Sequence, residues 1–476
     1  MTKLSTHRYL NTDSTEYSVI FTANATAAIK LVGESIDWKR NTGHFWHLRE
    51  CHTSVLGIRN YIQDADNIKP TPRVRGVTAD EIEQYLSTNM QNPPSAHPTS
   101  PHPSRNTSPN FNLFAYPAQC NHSGTRFPLS YTSHLHSLAA SQNPSPNPWK
   151  ILLDASSYAT TTPPNLSLHT PDFLVLSFYK LFGFPTGLGA LIVRNSSIPC
   201  LNGRKYFGGG TVGAVCWDEM WEKSREGVAE RFEDGTVGFQ QVLALERGFE
   251  FLESKLGGWS RVRSHTMFLT EYLYGGMKEM RFLEGGSICK VYSGPAGERR
   301  KRVGDDGVEW EYGQGPIVNF NILRPGGGVV KPSEIMRLAA VNGIHLRAGC
   351  FCNPGACQAA LGLSSGQVKE YADVHGHVCW DDKDVIDNQP LASLRVSFGA
   401  SSTFGDALAF LQFLRTFFVD PFDSLPSLPP LPMRFTSTTT TKPTITSLTI
   451  YPIKSCGGYS VTEWPIGPTG LVLDRR

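Results

Sequence analysis

No run of eighteen apolar residues occurs anywhere in the 476-residue chain, so no segment reads as a transmembrane helix. The first seventeen residues, MTKLSTHRYLNTDSTEY, carry no apolar stretch of the kind a secretory leader needs. An excess of one charge is missing too. Lys and Arg number 44 against 42 acids, a formal net charge of +2, and so balanced a surface gives no basic footprint for nucleic acid or anionic membrane. Cysteine is thin: ten residues are scattered without a short-domain framework, which excludes a disulfide-built scaffold and fits reduced thiols. Together these absences point to a soluble, cytoplasmic protein. What is plentiful is apolar side chain, 40% of the composition, enough for a sizeable core and two or three domains.

Within that frame one stretch stands out. An apolar run, Phe173 to Leu176, delivers Ser177-Phe178-Tyr179-Lys180 into a Gly/Pro-rich turn, and a second apolar run, Leu188 to Val193, follows. A lysine drawn into a protein interior has its pKa lowered by desolvation, towards the range where a free amine attacks a carbonyl and forms a Schiff base. By itself Lys180 reads first as a surface lysine with a buried stem. Upstream, Trp149 to Ala155 reads as a buried strand ending in Asp154. The spacing to Lys180 suits one strand, a crossover and the next strand of a parallel sheet, which places both residues at the carboxyl-end crevice where α/β sheets bind ligands. A carboxylate for a pyridine nitrogen and a lysine for an aldehyde are what a pyridoxal phosphate enzyme asks of its protein. Helix capping is the plainer role for Asp154.

The Asp154–Lys180 pair, with Ser177 three residues before the lysine, resembles fold-type I pyridoxal phosphate enzymes of the class V aminotransferase and cysteine desulfurase branch. The wording SFYKLFGFPTGLGALIVR is similar, within that branch, to the molybdenum cofactor sulfurases, and the likeness runs in patches from Tyr17 to Phe413. The resemblance implies an α/β fold with a large, mostly parallel sheet and a smaller α+β C-terminal domain. It implies pyridoxal 5'-phosphate as cofactor, L-cysteine as substrate, a homodimer, and the molybdenum cofactor (molybdopterin) of xanthine dehydrogenase and aldehyde oxidase as sulfur acceptor.

Other positions gain a role from the same likeness. Tyr17 to Thr22 reads as a strand and Ala25-Thr26 as the start of a helix, whose unpaired first amides suit a phosphate. His52, at the start of another helix, matches the histidine that stacks on the cofactor ring and could act as acid or base. Asn121 matches a contact to the ring hydroxyl, Ser177 a further cofactor contact, and Thr236 of Gly235-Thr236 a residue that reaches the phosphate of the neighbouring subunit. Arg395, in Arg-x-Ser-x-Gly, matches the clamp on the substrate carboxylate, a two-oxygen anion suited to a guanidinium fork. Two positions depart from the desulfurase pattern: Tyr179 stands where a histidine is usual, and Ser157 where a glutamine is usual.

A second chemical centre is Arg347-Ala348-Gly349-Cys350-Phe351-Cys352-Asn353-Pro354-Gly355-Ala356-Cys357. Its cysteine spacing is a poor match to a structural zinc site, so no metal is expected. The alternative is a nucleophilic thiolate on a mobile loop, with Arg347 and a protonated His52 supplying a positive field. Aligned on the Arg-x-Gly-x-x-Cys pattern of desulfurases, the nucleophile falls on Cys352, with Cys350 next and Cys357 also possible.

The domain expectations are residues 1–250 for the cofactor domain, 251–418 for the smaller domain bearing the cysteine loop, and a Pro/Thr/Ser linker over 419–443. Residues 444–476 resemble the opening of a MOSC β-barrel. A disordered insertion is expected at 92–109, a helix from Phe239 to Leu256, and a solvated loop over the charged stretch Pro295 to Gly315. The chain reads as truncated at both ends, so a general desulfurase and a non-catalytic fragment stand as alternatives.

Overall fold

Short apolar runs closed by turn residues become the seven strands of one sheet: β1 (Tyr17–Thr22), β2 (Phe45–Leu48), β3 (Val74–Val77), β4 (Asn112–Pro117), β5 (Trp149–Asp154), β6 (Phe173–Ser177) and β7 (Gly189–Arg194). The computed structural model describes residues 2–67, 73–91, 110–141, 147–294, 300–303, 309–378, 381–419, 448–450, 459–463, 465–467 and 470–471. The strand order is β1-β7-β6-β5-β4-β2-β3. Only β7 runs against the others, pairing antiparallel with β1 and β6. Parallel strands covered on both faces read as unbroken apolar runs, and every residue of β6 is buried. Each fully buried Leu, Ile or Phe there contributes about 1.5–3 kcal/mol relative to exposure.

Asn24 caps helix α1 (Ala25–Ser35), its side chain accepting from Ala27 N at 2.9 Å. Lys180 rides on the five-residue helix α2 (Phe178–Phe182), begun by Ser177 and closed by Gly183 in the left-handed region at φ 76°. Helices α3 (Phe239–Ser254) and α4 (Trp259–Glu279) then lead to a four-stranded antiparallel sheet made of β8 (Cys289–Val291), β9 (Ile317–Ile322), β10 (Arg347–Gly349) and β11 (Ser393–Ser397), in the order β8-β9-β11-β10. Helices α5 (Pro332–Val341), α6 (Pro354–Leu361) and α7 (Phe404–Phe418) complete this part. One buried apolar cluster gathers on the large sheet and another, with Phe320, Leu394 and Leu414, on the small one. Residues 1–424 form one compact unit and 425–476 a second, in which the described residues make two short antiparallel pairs, 448–450 with 459–461 and 466–467 with 470–471.

Helix α3 matches the expected span, with Leu245 and Leu252 buried, but Leu243 is exposed at 67%. The charged stretch after Pro295 is not simply a solvated loop. Glu309–Gln314 is a strand whose alternate residues Trp310 and Gln314 are buried while Glu309 and Glu311 are exposed, and it pairs with Thr125–Arg126. A period of two was hidden there by the density of charge. The expected insertion at 92–109 and nearly all of the linker lie outside the described residues. Among the described residues no helix is long and apolar enough to cross a membrane, and no group of His, Cys, Asp or Glu is placed to hold a metal ion.

Candidate active site

Parallel pairing of β5 and β6, with Asp154 opposite Val175, brings the ends of both strands to one edge of the sheet. Asp154 stands there half-buried, with one carboxylate oxygen accepting from Ser156 N at 2.9 Å. Lys180 is accessible to solvent yet hemmed in by protein. Burial holds its pKa below the ordinary lysine value; Asp154 opposes that shift, and Arg395 and Arg347 add to it. Those electrostatic partners bring two residues of the large sheet and two of the small one into a single cluster. The arginines face each other as direct cross-strand neighbours on β10 and β11.

His52 joins the same cluster. Burial lowers its pKa, Asp154 raises it, and Lys180 lowers it. Its Nδ1 accepts from Ser54 N at 3.1 Å. A backbone amide can only donate, so neutral His52 carries its proton on Nε2. Ser54 Oγ lies 3.0 Å from the same Nδ1 and 2.9 Å from Thr26 Oγ1. The proton order follows: the Thr26 hydroxyl donates to Ser54, and Ser54 donates to His52.

Beside this relay the first two amides of α1, on Ala25 and Thr26, have no acceptor within the helix, and Asn24 answers only the third. The backbone is drawn tight here. A Cβ on Gly189 would lie 2.6 Å from the carbonyl carbon of Asn24, so only glycine lets β7 run under the helix start. Unpaired amides at a helix N-terminus, a carboxylate with one unshared edge, an amine of lowered pKa and an imidazole presenting N–H together fit a phosphorylated pyridine aldehyde. Ser177 is buried at the end of β6, next to the lysine helix. Thr236 is exposed and lines a cavity of about 340 Å³ with Thr22, Ala23, Ala27 and Gly187.

The cysteine segment differs from expectation in two ways. First, Cys350 and Cys357 form a disulfide, with Cα atoms 5.3 Å apart, so these two thiols are not free. The chain turns back at once from the end of β10 into α6, which brings the pair within bonding span. Exposed Cys352 alone remains a free thiol in this segment. Second, the expected mobile loop is a pinned turn. Asn353 N donates to Cys350 O at 2.9 Å, and Phe351 and Cys352 both take φ 54°, a left-handed conformation costing non-glycine residues on the order of 1 kcal/mol each.

Several contacts hold that turn. Cys352 O accepts from Thr53 N at 2.8 Å, which seats the thiol-bearing residue directly beside His52. Fully buried Asn353 donates to Glu50 O at 2.7 Å and Asn121 Oδ1 at 2.8 Å, and its own Oδ1 caps α6 at Ala356 N. The Arg395 guanidinium lies over Phe351 at 4.6 Å and donates to Asn121 O at 2.7 Å. Burial, with Arg347 second, brings its pKa down to about 10. Asn121 donates to Phe351 O at 2.7 Å, so its amide is engaged on both sides by the cysteine turn, and the expected contact to a cofactor hydroxyl competes with those bonds. Ser157, at the unusual position, takes a hydrogen bond from Gln119 Nε2 at 2.9 Å. Tyr179 lies close enough to Arg395 to favour its charge.

Sequence reasoning missed Asn353, Ser54 and His122. Asn353 had a signal, since Asn before Pro is a helix-start pair. His122, buried under the turn with its ring 5.5 Å from Phe351, had none; burial, with Arg395 second, lowers its pKa to about 4.

Comparison with known proteins accords with this geometry. The chain is 36% identical to the human molybdenum cofactor sulfurase and 38% identical to that of Arabidopsis thaliana, over 98% of its own length and 58% of theirs. It therefore spans a little over half the length of these curated relatives. The fold resembles an apo cysteine desulfurase from Thermococcus onnurineus NA1 (TM-score 0.60, 17% identity, 88% of this chain and 82% of that one). It also resembles the cystine C-S lyase C-DES in complex with its reaction product cysteine persulfide (TM-score 0.59, 15% identity, 88% and 86%). The family model for class-V aminotransferases matches residues 2–290, the span that holds the large sheet, the α1 amides, Asp154 and Lys180, and the chain belongs to that family.

Proposed function

We propose that this chain uses pyridoxal phosphate to take sulfur from L-cysteine and carries it as a persulfide on Cys352 for delivery to the molybdenum cofactor. The observation that carries the reading is the seating of Cys352 beside His52, in one cluster with Asp154, Lys180, Arg347 and Arg395. When bound, the cofactor supplies an electron sink that acidifies the Cα hydrogen of an amino acid. Lys180 anchors the cofactor and, once free, takes that proton on its Nζ. Asp154 would hold the ring nitrogen with its unshared carboxylate oxygen, Ala25 and Thr26 would offer amides to the phosphate, and His52 and Ser177 would contact the cofactor. Arg395 and Arg347 hold the substrate carboxylate. The Cys352 sulfur then bonds the substrate sulfur as the carbon–sulfur bond breaks, and L-cysteine plus thiol become L-alanine plus persulfide.

The reading places the site in a cytoplasmic homodimer, with a cofactor domain over 1–250 and a smaller domain over 251–418. Exposed Leu243, Phe239, Trp217, Met220 and Trp221 offer apolar surface for a second copy, and Phe239 follows closely on the loop that carries Thr236. The delivery step draws on the sulfurase relatives. To test it, the protein is purified with pyridoxal phosphate and given L-cysteine, with alanine and Cys352 persulfide quantified. Persulfide on Cys352 in step with alanine supports the reading; alanine formation that persists in Cys352→Ser overturns the assignment of the nucleophile.

A further inference from the structure

The proposed reaction uses one cysteine of the segment, yet the structure gathers three. Cys352 is exposed and free in a four-residue turn, Cys350 opens that turn and is half-buried, and Cys357 lies buried in α6, bonded to Cys350. In a reducing compartment a disulfide of this kind is more often a working dithiol than a structural staple. The turn that begins at Cys350 and closes with Asn353 N on its carbonyl keeps Cys350 and Cys352 within one tight bend of backbone.

We infer that Cys350 and Cys357 form a second sulfur-chemistry site, which in its dithiol state discharges the Cys352 persulfide as hydrogen sulfide and in its disulfide state protects it. This rests on Cys352 as the persulfide carrier. The Cys350 thiolate attacks the outer sulfur of Cys352–S–SH, and the Cys352 thiolate leaves and takes a proton. Cys357 then attacks the inner sulfur of the new Cys350 persulfide, closing the Cys350–Cys357 disulfide and expelling HS⁻. The persulfide is reduced by two electrons and the dithiol oxidised by two: two thiols and one persulfide give one disulfide, one thiol and H₂S. A single discharge needs no outside reductant; an external dithiol must reduce the Cys350–Cys357 bond by thiol–disulfide exchange before the next one. While the Cys350–Cys357 disulfide stands, the neighbouring sulfurs cannot attack.

The test compares the full chain in two states, one with the disulfide intact and one reduced with a phosphine that is then removed without air. Each receives one equivalent of L-cysteine, and sulfide is measured per alanine formed, with alkylation and peptide mass reporting the three cysteines. The dithiol form is expected to release close to one sulfide per alanine and to regain the Cys350–Cys357 bond. The disulfide form should release at least tenfold less and keep the persulfide on Cys352. Reduced Cys357→Ser should resemble the disulfide form in sulfide released per alanine. Equal sulfide from both states, or full release from Cys357→Ser, overturns the inference. If no alanine forms, the desulfurase reading has failed instead, and Cys352 is loaded with sodium polysulfide. The same difference between the states then supports the discharge site, and its absence refutes it.

Discussion

At Lys180 the backbone does the placing, whereas at Cys352 side chains do it. The lysine follows the wholly buried strand β6 and sits beside Asp154 because two parallel strands end together. The cysteine follows a three-residue strand, bends through two left-handed residues, and is held by Asn353, Asn121, Arg395 and a disulfide. The first arrangement has the whole large sheet behind it. The second depends on a few bonds, several of them made by single side chains that one substitution removes, so position at the cysteine is tunable in a way that position at the lysine is not.

Substitutions at the two poles separate these plans. Lys180→Ala should lower alanine formation by at least ~10³-fold and abolish the visible absorption of lysine-bound cofactor, because it deletes both anchor and base. Its unfolding midpoint should stay close to wild type, since the side chain is exposed and packs no core. A large fall in that midpoint would mean that the lysine pole, too, depends on side-chain bonds.

At the other pole, buried His122 gives a pH signature. Above pH 6.5 the imidazole is neutral in folded and unfolded chains alike. As pH falls towards the folded value of about 4, only the unfolded chain takes up the proton, so stability drops with falling pH, by about 3 kcal/mol in all. Denaturant titrations from pH 7 to 4 should show this slope and its loss in His122→Asn. An unchanged slope would place the sensitivity elsewhere.

Asn353→Ala leaves Glu50 O, Asn121 Oδ1 and Ala356 N without their partner, at a cost of about 2 kcal/mol. Cofactor absorption should survive while alanine formation falls roughly tenfold or more, a split expected only if the side chain seats Cys352. Ser54→Ala should matter least. The backbone amide still fixes the His52 tautomer, so nitrogen NMR should find the neutral ring unchanged and activity reduced by less than about tenfold.

The same contrast governs what could be read in advance. The large sheet was legible because buried parallel strands are written as apolar runs, and Asp154 and Lys180 because strand ends in such sheets face one crevice. The start of α1 was legible from Asn24 and the small residues after it. Harder to read was the Cys350–Cys357 bond, because pairing depends on a turn whose central residues, Phe and Cys, are not the Gly or Asn that announce such conformations. The Asn121 amide turned towards the cysteine segment through contacts more than two hundred residues away in sequence. Trp310 was masked by the charges around it.

Clearance is the remaining matter. A Cβ on Gly355 would lie 2.1 Å from the carbonyl oxygen of Arg49, three residues before His52. Helix α6 therefore rests on the histidine segment with no gap to close, backbone against backbone. A single methyl group at position 355 would have to push the start of α6 off the Arg49 carbonyl. Variation at this seam can therefore open it but not tighten it.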